Sequence, residues 1–479
     1  MKLRVRSLSS VGWVTAEKFT QQVLLVLLFA ILAPLLGPRP YGLFAIVMVI
    51  VGFCEFVLGE GAIEALVTVD ALDPQHTATA NVATGVLSLI TSLVLIALAP
   101  VVGYVFGDRE LTWLVWSLVP LPALSLLSAV PIAILRRSFQ YRQLAIRTII
   151  GLVFGGLIGL VLAVKGAGVW ALIVQVLIQR VVEVLVAWTS VRQKFSIGWS
   201  RTHYRDMHSV SINVFIGRCM IFANGQLPRL IIGYLLGPVS LGLFTLANRF
   251  LETILGVIVF PRTAVGRVEL RSLAPVTAEF QNGFARIVQD VALLAFPILF
   301  GSAVVMPDLF DLWLDPRWLP GIIPSQLLIL SALPLVLSYC LDMAFLATNN
   351  SAVFTKMQTL QATTIILTVV CAGPFGLDVT CLALAVRPWL LTPIYLTVFQ
   401  KKCLMSPLRV LDLISQPFIA AMVMGGILCL PVGRPSWLDP KLGFVQLVAS
   451  GVAIYGLYLF RFSRSKLRSA VLSLVSRRS

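Results

Sequence analysis

The sequence predicts an all-α polytopic membrane protein of about fourteen transmembrane helices, arranged as two parallel six-helix repeats with two further helices at the C-terminal end. Three observations predict it: long apolar runs, the distribution of basic residues between them, and one corner that is written twice. The chain is 58% apolar and 12% charged, with a mean hydropathy of +0.94, whereas a water-soluble globule carries about 25% charged residues. Such a chain is solvated by lipid.

A span needs about 20 mostly apolar residues. Runs of that kind, parted by short Gly, Pro, Asp and Arg breaks, predict helices over 12–36, 41–67, 79–105, 111–135, 147–164, 168–189, 208–235, 239–261, 286–307, 320–347, 357–374, 379–399, 410–431 and 442–461. The first is expected to be a working membrane helix and not a cleaved signal: its apolar core, Val23 to Leu36, is long for a signal h-region, and "TAEKFTQQ" before it is too polar.

Lys and Arg are retained on the cytoplasmic side of short loops. With the N-terminus inside, most of the 37 basic residues fall in inner segments: "MKLRVR", "RRSFQYRQLAIR", 192–205, 262–286, Lys356, 401–409 and 461–478. The opposite loops hold Arg39, Arg109, Lys165, Arg317, Arg434 and Lys441. Both termini are therefore expected in the cytoplasm, which asks for an even number of spans. The net charge of +16 follows from topology and from attraction to anionic headgroups, so no nucleic-acid partner is expected. The inner segments "RRSFQYRQ" and "SRSKLRS" are expected either on the membrane surface or against a partner protein.

The decapeptides "LLGPRPYGLF" (35–44) and "LLGPVSLGLF" (235–244) agree at seven of ten positions and lie 200 residues apart. In each, a helix ends at Leu-Leu-Gly, where glycine is expected in a left-handed C-cap. Pro blocks continuation, and Gly-Leu-Phe opens the next helix. Six predicted helices separate the corners, so both face the same side and the halves repeat in parallel. A weaker echo, spaced by 210, matches Gly166, Val169 and Leu172 to Gly376, Val379 and Leu382. The predicted organisation is an N-terminal lobe over 1–195, a C-terminal lobe over 196–405, and two extra helices with a basic tail over 406–479. Two lobes that rock about a site between them make a transporter.

The informative residues are the charges at bilayer depth, each costing several kcal/mol unless it faces protein or water. Arg218, Arg249 and Arg387 fall near mid-span, Arg180 lies closer to the inner face, and Arg229 lies in the outer third of its helix. Arg180/Glu183 and Arg249/Glu252 are spaced i, i+3, so each pair either neutralises itself on one helix face or serves a ligand. Arg229 either snorkels to headgroups or faces the cavity. Glu17, Lys18, Asp290 and Asp342 sit near the inner boundary, where interfacial solvation competes with ligand contact. Arg218 and Arg387 have no acid at i±3 or i±4, so a partner must come from another helix, from water or from a ligand. A guanidinium fork binds phosphate in bidentate fashion, while Asn213, Asn224, Gln226 and Trp389 suit a glycan or glue helices together. Glu60 and Glu64, i and i+4 in "LGEGAIEALV", are candidates for ion coupling because neighbouring carboxylates in low dielectric favour protonation of one; the alternative is a solvated cytoplasmic mouth.

Several motifs are specific in combination: "LLGPRPYGLFAIVMV", "LLGPVSLGLFTLANRF", "VPIAILRRSFQYRQLAIR", "GAGVWAL", "DPRWLPGIIPSQLLIL" and "LAVRPWLLTPIYL". Together, over roughly residues 5–400, they resemble the Wzx-type polysaccharide flippases of the multidrug/oligosaccharidyl-lipid/polysaccharide (MOP) exporter superfamily. That resemblance implies two V-shaped six-helix lobes in the bacterial inner membrane. It also implies movement of undecaprenyl-diphosphate-linked oligosaccharides to the periplasmic face, for exopolysaccharide or lipopolysaccharide assembly. Basic residues are common in the family where Arg249 and Arg387 stand, and a polysaccharide polymerase or chain-length regulator is the candidate protein partner. One departure is "QLPRLIIGYLLG", whose Pro228 and Arg229 stand where the family often has an acidic or amide pair before "LLIGRFLG"; an inherited cation site in that helix is thereby in doubt.

No G-x-x-x-x-G-K-[ST] loop occurs, so ATP is not the expected energy source. No cofactor, metal or catalytic group is expected. Cys54, Cys219, Cys340, Cys371, Cys381, Cys403 and Cys429 are scattered without metal spacing. A membrane enzyme of polysaccharide assembly, whether polymerase, ligase or acyltransferase, is the alternative from another class. It would need a general base within reach of substrate, yet His76, His203 and His208 all fall in or beside inner loops. The nearer alternative is an ion-coupled drug or metabolite exporter of the same superfamily. Cationic drugs would favour acids, and the mid-depth charge here is mostly arginine.

Overall fold

A computed structural model of the chain describes residues 2–69, 73–191, 196–273, 277–403, 405–429 and 440–462. Every regular element among them is helical. The chain packs as two compact units, Met1–Gly242 and Leu243–Ser479. The first holds α1 (Lys2–Leu36), α2 (Pro38–Thr68), α3 (Pro74–Val105), α4 (Glu110–Leu118), α5 (Pro120–Leu127), α6 (Ala129–Arg137), α7 (Tyr141–Val164), α8 (Val169–Ser190) and most of α9 (Arg201–Ile254). The second holds the end of α9, then α10 (Phe260–Arg271), α11 (Ala278–Trp313), α12 (Ile322–Ala347), α13 (Ser351–Ala372), α14 (Leu377–Cys403), α15 (Pro407–Cys429) and α16 (Pro440–Phe462).

By length and composition, 12 helical stretches among the described residues suffice to cross a membrane, and Leu442–Tyr458 adds a shorter apolar one. Their outer faces are what lipid requires. On α3, Leu89, Ile90, Leu93, Val94, Val101 and Tyr104 are all exposed, a continuous apolar strip that water would not tolerate.

Two differences from the sequence expectation have backbone causes. The span expected over 111–135 is three short helices, because Pro120 has no amide to carry the ladder from α4 into α5. The spans expected over 208–235 and 239–261 are both present, as the two limbs of α9, which meet at a kink where Gly237 is non-helical at φ 80° and ψ 176°; the second difference lies at the far end of the later limb. Beyond α9 a π turn, Leu255–Val259, leads into α10. Pro261 in the first turn of α10 lacks an amide, and the wider turn before it absorbs the missing bond.

The twin corners share one backbone conformation. Gly37 has φ 79° and ψ 175°, within a degree of Gly237. The positive φ is as expected, but the ψ near 180° is not that of a left-handed C-cap. It is the extended positive-φ region open essentially to glycine alone, and it turns the chain sharply into the next helix. Pro38 and Pro238 then occupy its first turn, where a missing amide costs nothing. Gly166 and Gly376, the pair of the weaker echo, also share positive φ, 78° and 103°.

The corners also meet. A Cβ built on Gly42 falls far inside van der Waals contact of the Pro238 carbonyl, and one on Gly242 does the same at the Pro38 carbonyl. The contact is reciprocal, backbone against backbone, with residue 200 places apart exchanged for residue. The first compact unit runs on to Gly242, so the contacting residues of both corners lie within it.

Within the first unit, α7 lies against α8 along Gly151, Gly155 and Gly159. A Cβ at Gly155 would come 2.5 Å from the Gln175 carbonyl oxygen, and one at Gly151 would come 2.6 Å from Glu183 Cγ. Small residues at i, i+4 and i+8 let helix backbones approach closely in lipid, where association rests on packing. Gly155→Val is expected to cost about 1–3 kcal/mol, read as a lower unfolding temperature of the detergent-solubilised protein; no drop relative to wild type would refute the close approach. At the far end of α2 from the corner, Arg137 Nη1 donates to the carbonyls of Leu66 (3.3 Å), Val67 (3.0 Å) and Val69. It thereby satisfies the orphan acceptors of the helix C-terminus.

The second unit is organised on aromatic rings. Phe280, Phe284, Phe296 and Phe310 of α11 are fully buried, as are Phe345 and Phe399. Phe284 and Phe399 stack with ring centroids 4.8 Å apart. Trp318, in the "PRWLPG" turn before α12, is also completely buried.

Candidate functional site

The charged residues expected at depth fall into different surroundings. Arg180 on α8 is engaged twice: Nη1 donates to Glu183 Oε2 at 2.6 Å, and Nη2 donates to Glu55 Oε1 on α2. Ser125 Oγ donates to the same Glu55 oxygen (2.8 Å), and Gln179 Nε2 donates to Glu183 Oε1 (2.9 Å). The i, i+3 pair on α8 is therefore present and is joined by Glu55 of α2, itself held by Ser125 of α5.

The sequence reading missed the cation beside it. Arg147 on α7 lies within electrostatic reach of Glu183, Arg180 and Glu17, and its Nε and Nη1 are buried without a hydrogen-bond partner. The basic run "RRSFQYRQLAIR" reads as inner loop, but α7 starts at Tyr141, which carries Arg147 into the helix. Next to it, Thr148 Oγ1 donates to Glu17 Oε1 at 3.0 Å, so Glu17 is held within the protein. Likewise Asp290 is not simply solvated: Arg262 donates to its Oδ2 through Nε (3.2 Å) and Nη2 (3.0 Å).

Arg387 on α14, in the second unit, has no carboxylate partner among the described residues. Its Nη1 donates to the Gln361 carbonyl (3.3 Å) and lies 3.2 Å from Thr364 Oγ1, both on α13, and its Nε is buried and unpaired. Gln361 Nε2 in turn donates to the Tyr395 hydroxyl (2.8 Å). Asp342 on α12, 5% exposed, accepts from Gln358 Nε2 at 2.9 Å through one oxygen while the other is buried and unpartnered. The sequence ranked Asp342 as interfacial; the α12 packing buries it.

Of the remaining expected residues, Arg229 Nη1 donates to Gln226 Oε1 (3.2 Å), so these two neighbour each other on α9. Arg249 is half-buried further along α9, and Glu252 accepts from Asn248 Nδ2 (2.7 Å). Glu64 is half-buried. The side chains of Glu60, Arg218, Asn213 and Asn224 lie outside the described residues. Cys54, Cys340, Cys371, Cys381, Cys403 and Cys429 are free thiols, and Cys219 is likewise outside the described side chains.

One cluster was missed in the sequence. Asp73, His76 and His203 bring their ligand atoms within 4.8 Å of one another. Asp73 caps α3, and the backbone amide of His76 holds its carboxyl down at about 2. Only the D-x-x-H spacing hinted at it; His203 arrives from the first turn of α9.

With this geometry in hand, comparison with known proteins is informative. Residues 31–323 match the family described as "Polysaccharide biosynthesis protein". The chain is 25% identical over 304 residues, 64% of its own length, to the "Succinoglycan biosynthesis transport protein ExoT" of Rhizobium meliloti (strain 1021), and the match spans 60% of that relative. Among solved structures, the fold is similar to "Lipid II flippase MurJ, inward closed conformation", with a TM-score of 0.77, 14% identity, and coverage of 95% of this chain and 99% of the other. It is also similar to an inward-facing multidrug resistance MATE family transporter of the MOP superfamily, with a TM-score of 0.57, 16% identity, and coverage of 79% and 96%.

Proposed function

The chain belongs to the polysaccharide biosynthesis protein family, and we propose that it works there as a flippase, carrying undecaprenyl-diphosphate-linked oligosaccharide units across the bacterial inner membrane by alternating access. It is a multi-pass membrane protein related to the oligosaccharide flippases of the MOP superfamily. The transport role printed for the Rhizobium relative supports the cargo class.

The observation that carries the reading is Arg387. A guanidinium held at helix mid-depth by a carbonyl and a hydroxyl has no carboxylate countercharge among the described residues, and a diphosphate would supply one. Arg180, already shared by two carboxylates, offers less. Arg249, Arg229 and Arg218 are proposed as further arginines for the diphosphate, and Gln226 and Asn224 as amides for sugar hydroxyls.

The proposal includes fourteen spans in two six-helix lobes, 1–195 and 196–405, followed by 406–479, with both termini cytoplasmic. The basic-residue distribution and the matched dihedrals of Gly37 and Gly237 support it. Coupling to an ion gradient through Glu60 and Glu64, and a polymerase or chain-length regulator as partner, belong to the same proposal.

The test is deletion of the gene followed by complementation with wild type, Arg387→Ala, Arg387→Lys and Arg218→Ala. Loss of a charge-assisted contact of about 1.5–3 kcal/mol predicts roughly a tenfold or greater fall in exported polymer for Arg387→Ala. The lipid-linked intermediate is expected to stay on the inner face while the variant protein reaches the membrane normally, and the Lys variant is expected to recover part of the export. If deletion leaves polymer and sidedness unchanged but raises sensitivity to a cationic compound, the drug-exporter reading replaces this one.

A further inference from the structure

We propose that Asp73, His76 and His203 form a binding site for one divalent transition-metal ion of the Zn2+ class, which ties the first turn of α9 to the first turn of α3. The proposal concerns the end of the helices opposite the twin corners and needs no assumption about cargo.

The donors are prearranged. In the α3 capping box, the Asp73 amide donates to His76 Nδ1 (3.4 Å) and the His76 amide donates to Asp73 Oδ1 (2.9 Å). His76 Nδ1 and Asp73 Oδ1 lie 2.8 Å apart, a separation at which a shared proton and a bound cation compete for the same two atoms. His203 faces the same carboxylate from the other side. Its Nδ1 is 2.5 Å from Ser200 Oγ, and its Nε2 is 3.4 Å from Asp73 Oδ2. In the tautomer that carries the hydrogen on Nδ1, toward Ser200, Nε2 offers its lone pair on the carboxylate side; a ligand histidine commonly has its other nitrogen oriented this way.

The surroundings hold His203 in place. Asn81 Nδ2 donates to the Ser196 carbonyl (3.0 Å), and the Ser200 amide donates to Thr79 Oγ1 (3.2 Å), so 196–200 is strapped along α3. The two imidazoles meet edge to face with centroids 4.2 Å apart. Tetrahedral Zn2+ with bonds of about 2.0–2.2 Å sets its ligand atoms roughly 3.3–3.5 Å apart. The present spread, from 2.8 Å to at most 4.8 Å, reaches that with small side-chain rotations. Two imidazoles and one carboxylate leave a coordination position for water and select Zn2+, Co2+ or Ni2+ over Mg2+ and Ca2+, which prefer oxygen.

The experiment is titration of the full-length, chelator-stripped protein in detergent with Co2+, followed by displacement with Zn2+. The expected result is one Co2+ per chain with visible d–d absorption, displaced by Zn2+ and untouched by millimolar Mg2+ or Ca2+. His203→Gln, which leaves the α3 cap intact, and His76→Gln are each expected to weaken binding at least tenfold, and His208→Ala is expected to match wild type. Wild-type protein that runs as a single species on gel filtration and takes up no Co2+ would show that a proton, not a metal, bridges the pair. That result overturns the proposal, as does His203→Gln binding with unchanged affinity.

Discussion

Replacing Gly42 by alanine is expected to destabilise the protein by about 3 kcal/mol, the upper end of the overpacking range, and Gly242→Ala is expected to do the same. In each case the new methyl meets a proline carbonyl of the opposite corner, Pro238 or Pro38. A backbone carbonyl in the first turn of a helix has no rotamer to give, so the corners must part. Once they part, both clashes are relieved together, and the double variant is expected to cost much less than the sum of the singles. Gly85→Ala on α3 is the control. Its Cβ meets nothing within 4 Å, and alanine in a helix interior is favoured by roughly 0.5–1 kcal/mol. Thermal unfolding of the detergent-solubilised variants reads all four. Additive losses at Gly42 and Gly242 would show that the corners are strained independently and do not act as one contact.

Glu183→Ala carries the second large effect. Glu183 is 2% exposed, pairs with Arg180 and lies beside Arg147. Removing it leaves two guanidiniums sharing Glu55 and Glu17, and breaking one side of a buried ion pair typically costs about 3–5 kcal/mol. The expected result is a protein that fails to accumulate as a single folded species in the membrane. Arg147→Met gives the contrast. Its Nε and Nη1 have no hydrogen-bond partners among the described residues, so a flexible apolar side chain of similar length is expected to stay within about 1.5 kcal/mol of wild type. Equal damage from both variants would mean that Arg147 is as necessary to the network as Glu183.

Much of the helical pattern could be read in advance, because hydropathy and proline act locally. The runs that became α2, α3, α8 and α12 are bounded within a few residues by the Gly and Pro breaks that the chain displays. Arg180 and Glu183 could be paired from their spacing alone, since residues i and i+3 share a helix face. Arg147 could not, because its rank as loop or helix depended on where α7 begins. The partners of Arg387 were equally hidden: a carbonyl and a hydroxyl on α13 leave no signature in composition, and only helix packing selects which ones a guanidinium reaches.

The same division runs through the whole molecule. Membrane residence, helix count to within one or two, the repeated corner motif and the glycine at each corner follow from the order of residues, because each rests on transfer energy or on backbone sterics within a few positions. Contact of one corner with the other, the reach of Arg180 to Glu55 on α2 and the meeting of His76 with His203 required the folded chain. Each joins residues from distant elements whose separation is set by how helices pack. Packing depends on the sum of many weak side-chain contacts, and no single stretch of sequence displays that sum.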